Sequence, residues 1–501
     1  MPVPPEILAV PRPKNSVVIV YGKNKNLYAV RARIGCKYVN GRHVPVNGPT
    51  IGHIEDGKYI SLEEIAERSQ TYASQSTIDI KDWGSVVLCD RLCSGLLAEL
   101  QQVYNKTDAL KIYCAAILRV CNSGIKDYEL KEEYDNSFLS ELYPDVALSK
   151  NTISDFWNNL GKTYSRIHQF MENRVAAIEM NHHILIDGTL KSDESKVNSL
   201  SDYSRKALKK GTRDISILYA YDLEKGEPIC SKCFPGNMLD VTSYGTFIEE
   251  NHITQGIIVG DKGFPYSAAE TIFKSHQGLH YMNPLKRDSK YIATYKLHDY
   301  EAQLPEDENI TYKKVKVNGK NKWLYAFKDA IQAHKEDYNW LHNTQKKKNY
   351  DNDKYVKNIF RFGTILLESD IDLSPSDAYK IYKSRWEIEL VMRYYKQTCE
   401  FDETRVHDDY SVIGSEFCCF IATVMTYRLL NAFDKADLFK SLTYKKIMKI
   451  LVRAKKIRLH SGGEWNLVGM TPSQLEVIAK LGLIPMPEPK KKRGRKPKQE
   501  V

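Results

Sequence analysis

Two short apolar runs, each closed by an aspartate, constrain this chain more than any other feature. Ile184-Leu185-Ile186-Asp187-Gly188-Thr189 and Gly256-Ile257-Ile258-Val259-Gly260-Asp261-Lys262-Gly263-Phe264 are short and apolar without helical periodicity. They read as buried strands that set a carboxylate where the apolar layer gives out. Between them, 215–221 and 228–234 flank a Glu224-Lys225-Gly226-Glu227 turn, which is a hairpin pattern. Pro235-Gly236-Asn237 breaks the chain, and Asp240 opens a helix through Tyr244 and Ile248. A helix from about Ser267 and a strand through Leu279 to Met282 follow. The order strand, strand, strand, helix, strand, helix, strand specifies an α/β unit with a mixed sheet, in which both aspartates approach one place. Taken singly, each Asp also suits a turn or a helix cap.

A third acid stands far downstream, in Tyr382 to Lys396 (YKSRWEIELVMRYYK). Ser374-Pro375-Ser376-Asp377 ahead of it is a helix start: a capping Ser, Pro at the first helical position, and an acid three residues after the Ser. At 3.6 residues per turn, Tyr382, Arg385, Glu389 and Lys396 are expected on one stripe of a single helix, a lone carboxylate among two cations and a phenol. The alternative is a buried stripe of Ile381, Trp386, Leu390 and Tyr394, with the charges as a solvated face. Bringing Asp187, Asp261 and Glu389 together costs about 4 kcal/mol per pair at ~4 Å and an effective dielectric of ~20. Divalent cations remove that cost, and oxygen-only donors point to Mg²⁺ or Mn²⁺ rather than zinc.

Asp187, Asp261 and Glu389 in this order, with Pro235-Gly236-Asn237-x-x-Asp240 between the first two, Asp261-Lys262-Gly263-Phe264 at the second and the Tyr382/Arg385/Glu389/Lys396 spacing at the third, resemble the DDE transposases of bacterial insertion sequences. The likeness is greatest to the group named for its Tyr-Arg-Glu-Lys signature and covers roughly residues 181–435. Lys262 departs from it, since related sequences often have Arg there; the charge is kept. The resemblance implies an RNase H-like mixed-sheet catalytic domain with a β-rich insertion in the long gap between Asp261 and Glu389. It further implies that Asp187, Asp261 and Glu389 hold two Mg²⁺ (or Mn²⁺) ions for in-line displacement at phosphorus, with no covalent enzyme intermediate. By the same implication Tyr382, Arg385 and Lys396 grip phosphates near the cleaved end, and the partners are double-stranded DNA, as terminal inverted repeats and target, and a second copy of the chain in the DNA complex. Two other function classes remain open: an inactive transposase-derived DNA-binding protein, and a structure-selective nuclease that cuts without joining.

The remaining chain divides by pattern. Residues 1–75 are β-rich and basic, with Arg31, Arg33, Lys37, Arg42 and His43, a hairpin about 22–26, and a second turn at Glu55-Asp56-Gly57-Lys58. Residues 76–180 are helical, with Leu88, Leu92, Leu96, Leu100 and Val103 on one stripe. Ile153, Phe156, Trp157 and Leu160 face inward from a short helix, for DNA docking, dimerisation or plain packing. The catalytic core is expected as 181–285 and 359–435, with the insertion at 286–358. In the insertion, 310–317 and 323–327 flank Asn318-Gly319 as a hairpin, and Trp323 and Trp340 are candidates for stacking on an extruded base, or for core. Residues 412–433 are strongly apolar and should back the sheet; 436–489 is a C-terminal helical region.

Net charge is +10, but 490–501 carries seven Lys/Arg and one Glu, so the body is close to balanced. That tail holds Arg493 and Arg495 in an Arg-Gly-Arg core that resembles an AT-hook; a polybasic tail with no groove preference is the alternative. Of the ten cysteines, only Cys230-x-x-Cys233 has metal-like spacing, and without a second pair it reads as structural. No span reaches the ~18 consecutive apolar residues of a membrane helix, and the N-terminus has no apolar signal core. The expectation is a cytoplasmic protein, nucleoid-associated in a bacterium.

Overall fold

The structure is a computed structural model that describes residues 3–20, 28–39, 41–67, 78–193, 195–204, 211–238, 240–260, 266–347, 350–393, 395–396, 403–404, 406–459 and 463–486. Asp261, Arg493, Arg495 and the 22–26 turn lie outside them. The chain forms two compact units, one of residues 1–80 and 457–466, the other of 81–456 and 467–501.

In the smaller unit four antiparallel strands pair in chain order: Ser16–Val20, Tyr28–Val39, Arg42–Glu55 and Lys58–Ser61. The last two meet at Asp56-Gly57, where both φ angles are positive (47° and 74°), as the tightest hairpin turn requires. Val10, Val18, Val30 and Ile54 make its core. Beyond that core the two central strands run on as a long ribbon whose distal half is almost wholly exposed.

The larger unit is mixed α/β around a ten-stranded mixed sheet. Its order from one edge is Ala302–Leu304, Asp307–Lys316, Trp323–Asp329, Thr364–Ser369, Gly278–Pro284, Gln255–Val259, His183–Ser192 and Arg213–Asp222; the last pairs with both Asp202–Tyr203 and Glu227–Pro235. Gln255–Val259 runs parallel to both neighbours, and the other pairings are antiparallel. Helices Asp240–Glu250 and Tyr266–Ser275 stand where the sequence pattern places them. The 286–358 segment joins this same sheet with its strands and adds helices Ala330–Lys346 and Asn352–Ile359. Its hairpin closes over 317–322 and not at Asn318-Gly319 alone, since the pairing stops at Lys316↔Trp323.

Helix Asp409–Lys435 is long and apolar enough to cross a membrane, but 89% of its most apolar window is buried in this chain. It lies against strand Glu227–Pro235 and helices Gly84–Gln101, Lys106–Cys121 and Lys150–Lys162. Ile153, Phe156, Trp157 and Leu160 are buried at the last of these contacts. Two glycines make that crossing: a Cβ on Gly161 would sit 1.9 Å from the Tyr410 carbonyl, and one on Gly414 would sit 2.1 Å from the Trp157 carbonyl. Cys230 and Cys233, three apart on one strand, point to opposite faces and carry no disulfide.

Candidate functional site

Asp187 sits in the middle of its strand, not at the end expected from the apolar run. The antiparallel ladder with Arg213–Asp222 continues to Ser192↔Asp214, because Thr189 and Lys191 go on burying one face. On the other side the described parallel pairing stops at Val259↔Leu185. Asp187 is therefore half-buried just past the last described parallel pair, and it accepts a hydrogen bond from the Gly188 N–H at 2.8 Å. Asp261 follows Val259 by two residues in sequence, as Asp187 follows Leu185.

The face that Asp187 uses is defined by its neighbours. Asp187 lies directly opposite Tyr219, and opposed residues in an antiparallel pair project to the same side. The buried Tyr219 ring packs on Tyr395 at 5.8 Å and on Phe420 at 5.9 Å. Lys191, four residues past Asp187 and so on the same face, is buried and ion-paired with Glu416 of the long helix. Tyr395 OH donates to the other Glu416 oxygen at 2.6 Å. Burial alone would lower the Lys191 pKa, but the Glu416 carboxylate outweighs it and holds the ammonium above its ordinary value.

The signature region departs from the single helix of the sequence reading. Ser374 caps helix Pro375–Ser384 through the Asp377 N–H, with Pro at the first position as expected. That helix ends at Ser384; a second, Trp386–Arg393, follows, and Tyr395 and Lys396 lie in a wider π-type turn. Tyr382, Arg385 and Glu389 nevertheless line one face, because Arg385 keeps right-handed helical angles (φ −50°, ψ −27°), while Lys396 lies beyond the second helix. The alternative buried stripe fails, because Trp386 is 50% exposed while Ile388 is buried. Tyr394 lies outside the described residues.

Helix Trp386–Arg393 packs on the strand that carries Asp187. Its Glu389 is partly exposed and pairs with Arg385 at 3.2 Å, and the Arg385 guanidinium lies over the Tyr382 ring at 5.7 Å. Lys396 is close to Asp214: burial raises the Asp214 pKa and the Lys396 charge pulls it back. Trp323 is partly buried, with Lys314 at 4.8 Å and Lys316 at 5.2 Å over its ring. Trp340 clusters with Tyr350 and Tyr355 at 5.8 and 5.3 Å.

Sequence reasoning passed over Glu416, Lys191 and Tyr395. The signal was present, since Glu416 is one of two charged residues between Val412 and Phe433 and a buried charge needs a partner. Among the described residues one cluster has metal-ligand spacing, His182, Asp222 and Glu224. Asp222 there already meets His182 Nδ1 at 2.7 Å and accepts from the Glu224 and Lys225 N–H groups at 3.0 Å each, so it ties down a turn. Asp187 and Glu389 are a better donor set for a hard cation: carboxylate oxygens, neither fully buried, on two elements in contact.

Residues 180–412 match the family model described as a transposase DDE domain. That match supports reading the 180–412 segment as a transposase DDE domain. No curated protein matches the chain. Among solved structures, a piggyBac transposase synaptic complex with hairpin DNA is similar over 74% of this chain and 80% of that one, at 12% identity and a TM-score of 0.36. A Mos1 transposase paired-end complex with the left transposon end is similar over 31% of this chain and 58% of that one, at 13% identity and a TM-score of 0.15.

Proposed function

We propose that this chain is the transposase of a bacterial insertion sequence, cutting DNA at the element's ends and joining the freed ends to target DNA. One observation carries the reading: the helix bearing Glu389 packs against the strand bearing Asp187, on elements that belong to the matched transposase domain. Two anchors support a close approach of the two acids. Tyr395 meets Lys191 through Glu416, and Glu389, on the helix that ends two residues earlier at Arg393, stands six residues before Tyr395. Asp187 stands four residues, about 13 Å of strand, before Lys191 on the same face. Leu185 and Val259 are paired on adjacent parallel strands, and in sequence Asp261 follows Val259 by the same two residues that separate Asp187 from Leu185. This adjacency of parallel strands inside a mixed sheet supports an RNase H-like catalytic core.

Asp187, Asp261 and Glu389 would hold the divalent ions, Mg²⁺ or Mn²⁺, which when bound supply the Lewis acidity for displacement at phosphorus. The protein's own groups do the rest. Arg385 neutralises Glu389 before substrate arrives and presents a planar fork to phosphate oxygens. Tyr382 supports the guanidinium from below. Lys396, by Asp214, is a second cation for the same DNA strand. The partners are the terminal repeats and target DNA, bound by two copies of the chain in the bacterial cytoplasm.

The test uses purified full-length protein, its own element ends and Mg²⁺. Asp187→Asn, Asp261→Asn and Glu389→Gln each lower end cleavage and strand transfer by about three orders of magnitude or more, with end binding retained. Cleavage that survives all three substitutions overturns the assignment. Cleavage without joining in the parent protein makes it a nuclease.

A further inference from the structure

We propose that the exposed half of the N-terminal β-ribbon, residues 33–47, is a DNA-binding arm that enters a groove of duplex DNA. This rests on the reading of the chain as a DNA-processing enzyme and adds a contact surface outside the catalytic unit. Among the described residues, strands Tyr28–Val39 and Arg42–Glu55 have strand neighbours only at their base: Ser16–Val20 pairs with 28–32, and Lys58–Ser61 with 52–55. From Arg33 to Val39 the ribbon is two strands wide, about 20 Å long, and has both faces in solvent. Such a ribbon is one of the two shapes that fit a major groove about 12 Å across.

Its chemistry selects the partner. Between Glu6 and Glu55 there is no Asp or Glu at all, in a chain that holds 63 acids, and the ribbon half carries Arg33, Lys37, Arg42 and His43. The register fixes how these stand. Lys37 opposes Val44 and Val39 opposes Arg42, so Lys37, Val39, Arg42 and Val44 share a face. Tyr38 opposes His43 on the reverse face, with ring centroids 5.1 Å apart. Ile34 and Tyr38 are 67% and 70% exposed. Apolar side chains this exposed also suit contact with another protein. A second copy of the ribbon, however, would bring its own cations against these with no acid to pair them, whereas DNA offers phosphates to the cations and base edges and thymine methyls to Val39 and Val44 on the Lys37 face.

The experiment measures binding of the full chain to end-containing duplex without divalent cations, so that the DNA stays intact, across about 50–200 mM salt. Arg33→Ala/Lys37→Ala/Arg42→Ala removes three phosphate contacts, and the slope of log affinity against log salt falls by about 2.7, or 0.9 per contact. Val39→Ser/Val44→Ser leaves that slope unchanged and weakens discrimination between end and random duplex. All five positions lie outside the Val10, Val18, Val30 and Ile54 core, so circular dichroism is expected to match the parent. A triple variant with the parent's slope overturns the proposal. So does a Val39→Ser/Val44→Ser variant that loses self-association in the absence of DNA, which makes the ribbon a protein interface. A chain whose slope depends on the ribbon but which cleaves nothing with Mg²⁺ instead fails the transposase reading and leaves the arm in place.

Discussion

A carboxylate inside an apolar helix is tolerated only when its lone pairs are filled, and Glu416 is filled from two directions, by the Lys191 ammonium and the Tyr395 hydroxyl. The three residues come from the long helix, the Asp187 strand and the end of the signature region, so the pair fixes the position of two elements that carry proposed catalytic acids. Removing one member strands the other. Glu416→Gln is expected to cost about 3–5 kcal/mol, because it leaves a buried ammonium without its counter-charge, while Lys191→Met/Glu416→Gln recovers much of that loss and Tyr395→Phe costs only about 1 kcal/mol. Urea midpoints for the single and double variants check this, and strictly additive losses refute it. At this scale Asp187 and Glu389 stand out as candidates because each breaks a local pattern, an acid closing an apolar run and a lone acid among cations. Lys191 was not, since a lysine in a strand looks solvated until Glu416, 225 residues further along the chain, is folded beside it.

Elements were legible where periodicity or punctuation was strong, as at Ser374-Pro375, the Asp56-Gly57 turn and the strand and helix order around Asp187. They were less legible where tertiary packing decides burial. The helical ladder is interrupted at Arg385, which keeps right-handed helical angles (φ −50°, ψ −27°) and reaches Glu389 one turn on, while Trp386 is half exposed and Ile388 is buried. The helix Ala330–Lys346 shows another such tertiary anchor. Its Glu336 receives both Arg287 nitrogens, at 2.7 and 3.1 Å, Gln332 Nε2 at 3.0 Å and the Gly363 N–H at 3.0 Å. Burial alone would raise this carboxyl, but those hydrogen bonds hold it at about 2. A depressed acid contributes stability that is present above its unfolded value of about 4.3 and lost as pH falls toward the folded one. Glu336→Gln should therefore cost about 2 kcal/mol near pH 6, after allowance for partial exposure, with the difference from the parent vanishing near pH 2. A difference that stays constant across that range would show that the carboxylate charge contributes nothing.

Across the whole molecule, the division into two units has a thermodynamic consequence. The larger unit is built around an extended core with a second, smaller cluster about Leu297, Leu324 and Leu366, whereas the smaller unit rests on Val10, Val18, Val30 and Ile54 with a few partly buried neighbours. Small domains bury a lower fraction of their surface and are correspondingly marginal. Calorimetry on the full chain is expected to show two transitions, the smaller unit melting first. Val30→Ala removes two buried methyl groups from that core at a cost on the order of 2 kcal/mol. For a domain of this size, that lowers the first transition by about 10 °C and leaves the second where it was. Phe433→Ala, in the core of the larger unit, should do the reverse. If the ribbon is a DNA arm, duplex DNA raises the first transition in the parent protein, because a ligand that binds only the folded state stabilises it by mass action. That rise is absent from the Arg33→Ala/Lys37→Ala/Arg42→Ala variant. A single transition displaced by both core substitutions would show that the two units unfold together.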